Sequence, residues 1–110
     1  MSMYCIPELQ RDYIHLDDAI AAIELAVERR LTGTYNVGHG QGITMNELAD
    51  SVRMAAGTTE PCSFGDYRGH DLALCTDSFR SATGFVPGVS LQSGVAREVQ
   101  RLRAAPGGQA

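Results

Sequence analysis

Apolar positions along the chain recur with helical spacing in three places. Ile20, Ile23, Val27 and Leu31 predict an amphipathic helix that turns this stripe to the core. Asp17 is expected to cap it, Gly33 to end it, and Arg29 and Arg30 to complement its carboxyl end. Leu48, Val52 and Ala55 predict a second helix, opened by the capping box Thr44-x-x-Glu47 and stopped by Gly57. Leu91, Val95, Val99 and Leu102 share the face of a last helix capped by Ser90, and Asp77 caps a short one that breaks at Gly84.

Strand signals are weaker. Asp12 to Leu16 alternates, Thr34 to Val37 is rich in strand formers, and Cys62-Ser-Phe64 is a brief apolar run before an exposed loop holding Tyr67, Arg68, His70 and Asp71. Met1 to Gln10 shows no period. The pattern predicts an α/β (α+β) fold of about four helices and two or three short strands. Residues 1–103 form one unit, and 104–110 form a Pro/Gly-containing tail expected to be disordered.

A chain of 110 residues supports one modest core, and its composition is that of a globular domain, with 44% hydrophobic and 20% charged residues. A formal charge of −4 opposes nonspecific binding to nucleic acid, which is not expected as a partner. No stretch reaches the ~18 apolar residues of a membrane span, and no signal peptide is evident. Cys5, Cys62 and Cys75 are too widely spaced for a disulfide framework or a zinc ribbon, which suits a reducing compartment and makes the cytoplasm the expected location.

Few residues invite chemistry. Arg11 and Arg68 are the strongest candidates, because two guanidinium groups can grip a diphosphate through bidentate, charge-assisted hydrogen bonds; the competing reading is two surface ion pairs. Asp17 and Asp18 read as helix-start residues rather than an acid/base pair. Gly38-x-Gly-x-Gly42 misses the dinucleotide fingerprint, which would need glycine where Ile43 stands, and reads as a turn. His15 is expected at a strand end with its imidazole hydrogen-bonded, and His39 and His70 in exposed loops. The cysteines read as small buried apolar side chains, and no metal site is expected.

The segments Arg11-Asp-Tyr-Ile-His-Leu-Asp-Asp18, Thr34-Tyr-Asn-Val-Gly38, Ile43-Thr-Met-Asn-Glu-Leu48 and the Ser90-Leu-x-x-Gly-Val95 helix start occur in one order. Together they resemble the carboxyl-terminal, substrate-binding half of the extended short-chain dehydrogenase/reductases, the NAD-dependent nucleotide-sugar epimerases and dehydratases. The resemblance runs from about Arg11 to Arg103. It implies that Arg11 and Arg68 hold a nucleotide diphosphate and that Tyr13, Met45 and Asp71 line the ribose or base side. The spacing from Asp71 to Asp77, Arg80 near the family's usual lysine, and Val86-Pro-Gly88 depart from the family pattern in ways that bear on the sugar pocket.

NAD is the family cofactor, but only ten residues precede Arg11, and all nine basic residues are arginine. The Gly-rich cofactor loop and the family's Tyr-x-x-x-Lys pair are therefore expected to be absent, and no cofactor is expected in this chain. The expected function is a stand-alone or split substrate-binding domain for an anionic, nucleotide-sugar-like ligand, not redox-competent alone. It is expected to self-associate or to join a partner carrying the cofactor domain. Two alternatives stand beside it. One is recruitment to non-redox cyclisation or isomerisation, with His15, His39, His70, Asp71 or a cysteine as acid/base. The other is an interaction subunit whose strand edge completes a partner's sheet.

Overall fold

The computed structural model describes residues 1–105. Its order is β1 (Ser2–Cys5), β2 (Gln10–Arg11), α1 (Leu16–Glu28), β3 (Ile43–Thr44), α2 (Met45–Ala56), β4 (Ser63–Tyr67), α3 (Asp77–Thr83) and α4 (Leu91–Ala104). The fold is α/β, with four helices and short strands. Of the tail expected over residues 104–110, Ala104 is the last residue of α4 and residues 106–110 lie outside the described residues, among which no helix is long and apolar enough to cross a membrane.

Helix ends follow local chemistry. Thr44 Oγ1 accepts from Glu47 N at 3.1 Å and Ser90 Oγ from Ser93 N at 3.2 Å, so both sequence-predicted caps form. Gly57 and Gly84 take the left-handed conformation that stops α2 and α3. Two caps differ from expectation. His15 rather than Asp17 caps α1, its Nδ1 accepting from Asp17 N at 3.0 Å, because Asp17 already lies inside the first turn. Thr76 precedes α3 with no side-chain cap bond, and Asp77 instead meets Arg80 at 2.6 Å. α1 also ends at Glu28, five residues before Gly33, and Arg30 takes a positive φ of 52° in the exit turn.

The strands form two separate pairs. β1 runs parallel to β4, with Met3 opposite Phe64; β2 runs antiparallel to β3, with Arg11 opposite Ile43. Neither the Asp12–Leu16 nor the Thr34–Val37 strand is present. Residue 12 turns away to hold a loop, and residues 34–37 have no strand beside them. β1 lies in the segment without sequence period, where pairing with β4 supplies what local pattern does not.

The core is shallow. Cys5, Leu9 and Met45 are buried, with Met3, Ile6, Tyr13, Leu48 and Phe64 packed on them. A second cluster centres on Phe79, whose ring meets Tyr35 and Phe85 edge-on at 5.9 and 5.6 Å. The molecule is a slab of 46 × 36 × 18 Å with a radius of gyration of 16.1 Å. A compact chain of this size would have about 13 Å. This flatness leaves the α1 stripe outside: Ile20, Ile23 and Val27 are 45%, 64% and 72% exposed, and the helix instead buries Asp18 and Ala22.

Candidate functional site

Four of the five expected ligand residues gather around the β2–β3 pair. Gln10 N donates to Asp71 Oδ1 at 3.0 Å and Leu72 N to Gln10 O at 3.1 Å, which draws the loop after β4 against β2. Arg11 Nη1 donates to Gln10 O at 2.9 Å and to the His70 carbonyl, so its guanidinium clamps that loop from the other side. Tyr13 donates its hydroxyl to Met45 Sδ at 3.7 Å. Burial pushes the Tyr13 phenol above its ordinary range, and the nearby Arg11 charge partly opposes this.

Both Arg11 bonds come from Nη1, so its Nη2 and Nε groups have no partner among the described residues. Arg68 follows directly on β4 and is exposed. Its side chain makes no hydrogen bond or ion pair with a described residue. It stands two residues from His70, the carbonyl that Arg11 holds.

Two carboxylates organise the surrounding loops: Asp12, which pattern reading does not single out, and Asp18, which it reads only as a helix-start residue. Asp12 Oδ1 accepts from His39 N at 2.9 Å, and its Oδ2 accepts from Gly40 N and Leu74 N at 2.9 and 3.0 Å. Gly38 must be glycine for this, since an added Cβ would sit 2.9 Å from Asp12 Oδ1. Asp18 accepts from Gly88 N and Val89 N at 3.0 and 2.9 Å, tying α1 to the entry of α4. The available signal was the unmatched backbone donors of two glycine-containing loops, each of which needs an acceptor.

Between α2 and α4 lies a cavity of about 440 Å³, lined by Leu48 and Val52 on one side and Leu91, Val95 and Val99 on the other. His15 forms part of its wall, 9% exposed at the side chain and lying over Gly94, where an added Cβ would be 3.0 Å from its ring. The Nδ1 cap bond assigns the proton of the neutral ring to Nε2. That nitrogen is 3.3 Å from Glu98 Oε2 yet not aligned on it as a hydrogen bond, which leaves it unsatisfied. The Arg101 hydrogen bond holds the Glu98 carboxyl below its ordinary range, with His15 a smaller contributor. His39 is half-buried rather than exposed, because its Nε2 reaches Val89 O at 3.1 Å, whereas His70 is exposed as expected. Cys5 is buried, but Cys62 is only half-buried and Cys75 is exposed. The described residues hold no group of three or more His, Cys, Asp or Glu side chains placed to bind a metal.

Comparison with known proteins fits these segments and this topology. No family model matches the chain. It is 36% identical over 75 residues to a UDP-glucose 4-epimerase of Streptomyces lividans and 33% identical over 94 residues to that of Azospirillum brasilense, covering 66% and 79% of this chain. The UDP-glucose 4-epimerase of Thermus thermophilus superposes on 96% of the chain with a TM-score of 0.82 at 31% identity. This chain is related to the NAD-dependent nucleotide-sugar epimerases and dehydratases. A dTDP-glucose 4,6-dehydratase of Bacillus anthracis shares the epimerase/dehydratase fold at a TM-score of 0.84 and 18% identity. The chain spans only 23% and 27% of the two curated epimerases, and 36% and 35% of the two solved structures.

Proposed function

We propose that this chain is the substrate-side portion of an epimerase/dehydratase-type enzyme and binds the diphosphate of a nucleotide sugar through Arg11 and Arg68. The observation that carries the reading is the pinning of Arg11 by its Nη1 bonds, which leaves Nη2 and Nε free to donate beside the loop that begins at Arg68. A guanidinium already fixed in place loses little rotamer freedom on taking a phosphate, so its hydrogen bonds add to affinity with a smaller entropic cost. Tyr13 and Met45 form one side of the site, and Asp71 holds the loop against β2.

NAD does not fit the glycine turn of this chain. The Asp12 carboxylate already takes the His39 and Gly40 N–H groups that a pyrophosphate would need, and its charge would repel that pyrophosphate. No hydride step is assigned to these residues. Isothermal titration with UDP-glucose, UDP and inorganic diphosphate tests the proposal. Heat is expected with the first two, with affinity weakened about tenfold in Arg68→Ala; no heat at millimolar UDP-glucose with a folded chain would end it.

One observation favours a second reading, acid/base work on a small metabolite. His15 and Glu98 stand 3.3 Å apart in the wall of the α2–α4 cavity, with the imidazole held in one tautomer by its cap bond. A folded Glu98→Gln chain that keeps full turnover of any substrate found for it would remove this reading.

A further inference from the structure

His15 holds the start of α1 through one ring nitrogen in one protonation state. Its Nδ1 accepts the Asp17 N–H at 3.0 Å and its carbonyl accepts Ala19 N at 3.0 Å, so the first turn hangs on this residue through side chain and backbone alike. Nδ1 can accept only in the neutral ring, because both nitrogens of the imidazolium carry hydrogen. The side chain is 9% exposed, and its Nε2 has no hydrogen-bond partner among the described residues. α4 closes one side of the ring at Gly94, where an added Cβ would be 3.0 Å from His15 Cδ2 and 3.3 Å from Val89 Cγ1.

The charged groups around the ring suit the other protonation state. From α1, Asp17 Oδ2 stands 3.7 Å from Nδ1; from α4, Glu98 Oε2 stands 3.3 Å from Nε2. Each of these carboxylates also has an arginine partner on α4, Arg97 at 3.3 Å from Asp17 Oδ2 and Arg101 at 2.8 Å from Glu98 Oε1. Asp18, the other acid of the α1 turn, is committed to Gly88 N and Val89 N. Tyr13 and His39 share the cavity wall with His15, and His39 Nε2 donates to Val89 O at 3.1 Å, a bond that a protonated His39 keeps. Across the cavity, α2 turns only the apolar Leu48 and Val52 to it.

We propose that His15 is a proton-operated latch between α1 and α4. Neutral, it caps α1. When Nδ1 takes up a proton it becomes a donor, the Asp17 N–H loses its acceptor, and the imidazolium pairs instead with the Asp17 and Glu98 carboxylates. The first turn of α1 then loosens while Glu98 is drawn to the ring, so the hold between the two helices passes from a helix cap to an ion pair in the cavity wall. Histidine is the side chain whose unperturbed charge change falls between about pH 5 and 8, which makes mild acidification the trigger. The proposal rests on neither functional reading, since it needs no ligand at Arg11 and no substrate in the cavity.

The test is ring-nitrogen and amide NMR of the full chain from about pH 8 to about pH 5. At the upper end Nδ1 should be the bare nitrogen and Nε2 the protonated one. As the ring takes its proton, the protection factor of the Asp17 amide should fall at least about tenfold with the same midpoint, and the Glu98 carboxyl carbon should respond in the same step. His15→Asn, whose amide oxygen caps a helix without titrating, should keep the Asp17 amide protected throughout while His39 and His70 titrate as before. Glu98→Gln keeps the cap but removes one carboxylate, so the Asp17 change should persist and move to lower pH. An Asp17 amide indifferent to the charge of His15 overturns the proposal. So does a response that survives in His15→Asn, a midpoint that Glu98→Gln does not move, or an imidazole still neutral at about pH 5.

Discussion

The Asp18 carboxylate and the Val89 N–H meet at 2.9 Å across 71 residues of sequence, and Gly88 N shares the same carboxylate at 3.0 Å. Asp18 is 7% exposed, so it is a buried charge satisfied by backbone donors rather than by a counter-ion. Replacing it with alanine leaves both N–H groups without an acceptor, and each bond to a charged group is worth about 1.5–3 kcal/mol. Asp18→Ala is expected to lose about 3 kcal/mol in urea unfolding, with Asp18→Asn losing about half of that. An alanine variant within about 0.5 kcal/mol of wild type would show that the carboxylate does not hold α1 to the α4 entry.

Asp12 works in the same way on three donors, those of His39, Gly40 and Leu74. In Asp12→Ala these three amides should lose exchange protection together, by at least about tenfold, since one acceptor serves them all. Gly38→Ala should disturb the same set, because its Cβ would fall 2.9 Å from Asp12 Oδ1 and 3.1 Å from Leu74 Cδ1. Independent exchange of the three amides would contradict a common anchor.

How much of this was legible depends on the range of the interaction. The α2 cap by Thr44, the α4 cap by Ser90 and the stops at Gly57 and Gly84 are decided within four residues, and all four are found. The orientation of α1 is not local. Its apolar stripe has the right period, but nothing in the period says whether this chain supplies the surface to cover it, and here the stripe is exposed. β1 was invisible for the converse reason, since Met1 to Gln10 has no period and becomes a strand only through β4. Among candidate site residues, Arg11, Tyr13, Met45 and Asp71 were named from the resemblance and lie together around β2. Asp12, between two of those named residues, acts through donors 27 to 62 residues away and carries no short-range mark.

Arg11 and Arg68 are expected to separate stability from binding. Arg11→Met removes the clamp on His70 O and should lower the unfolding midpoint as well as UDP affinity. Arg68→Ala touches only an exposed side chain without a partner among the described residues, so it should leave the midpoint unchanged while reducing affinity by about tenfold. Titration calorimetry beside urea melts gives both readings. A destabilised Arg68→Ala would place that guanidinium in the fold rather than in the site.

Glu98 offers a test by pH. Arg101 Nε donates to Glu98 Oε1 at 2.9 Å and, with a smaller part from His15, keeps the carboxyl below its ordinary 4.5. A carboxyl depressed in the folded state stabilises the fold above its unfolded value. That contribution is lost as pH falls through the folded value, so the window lies below about pH 4.5. The effect on stability is small because the group is solvated, and carboxyl-carbon NMR resolves it better than melting does. Arg101→Ala should move the Glu98 titration upward by removing the largest cause. His15→Gln should move it upward by less. A Glu98 that titrates at or above 4.5 in the unaltered chain, or one that shifts more for His15→Gln than for Arg101→Ala, would mean that the cavity-wall pair and not the helix-surface pair controls this carboxylate.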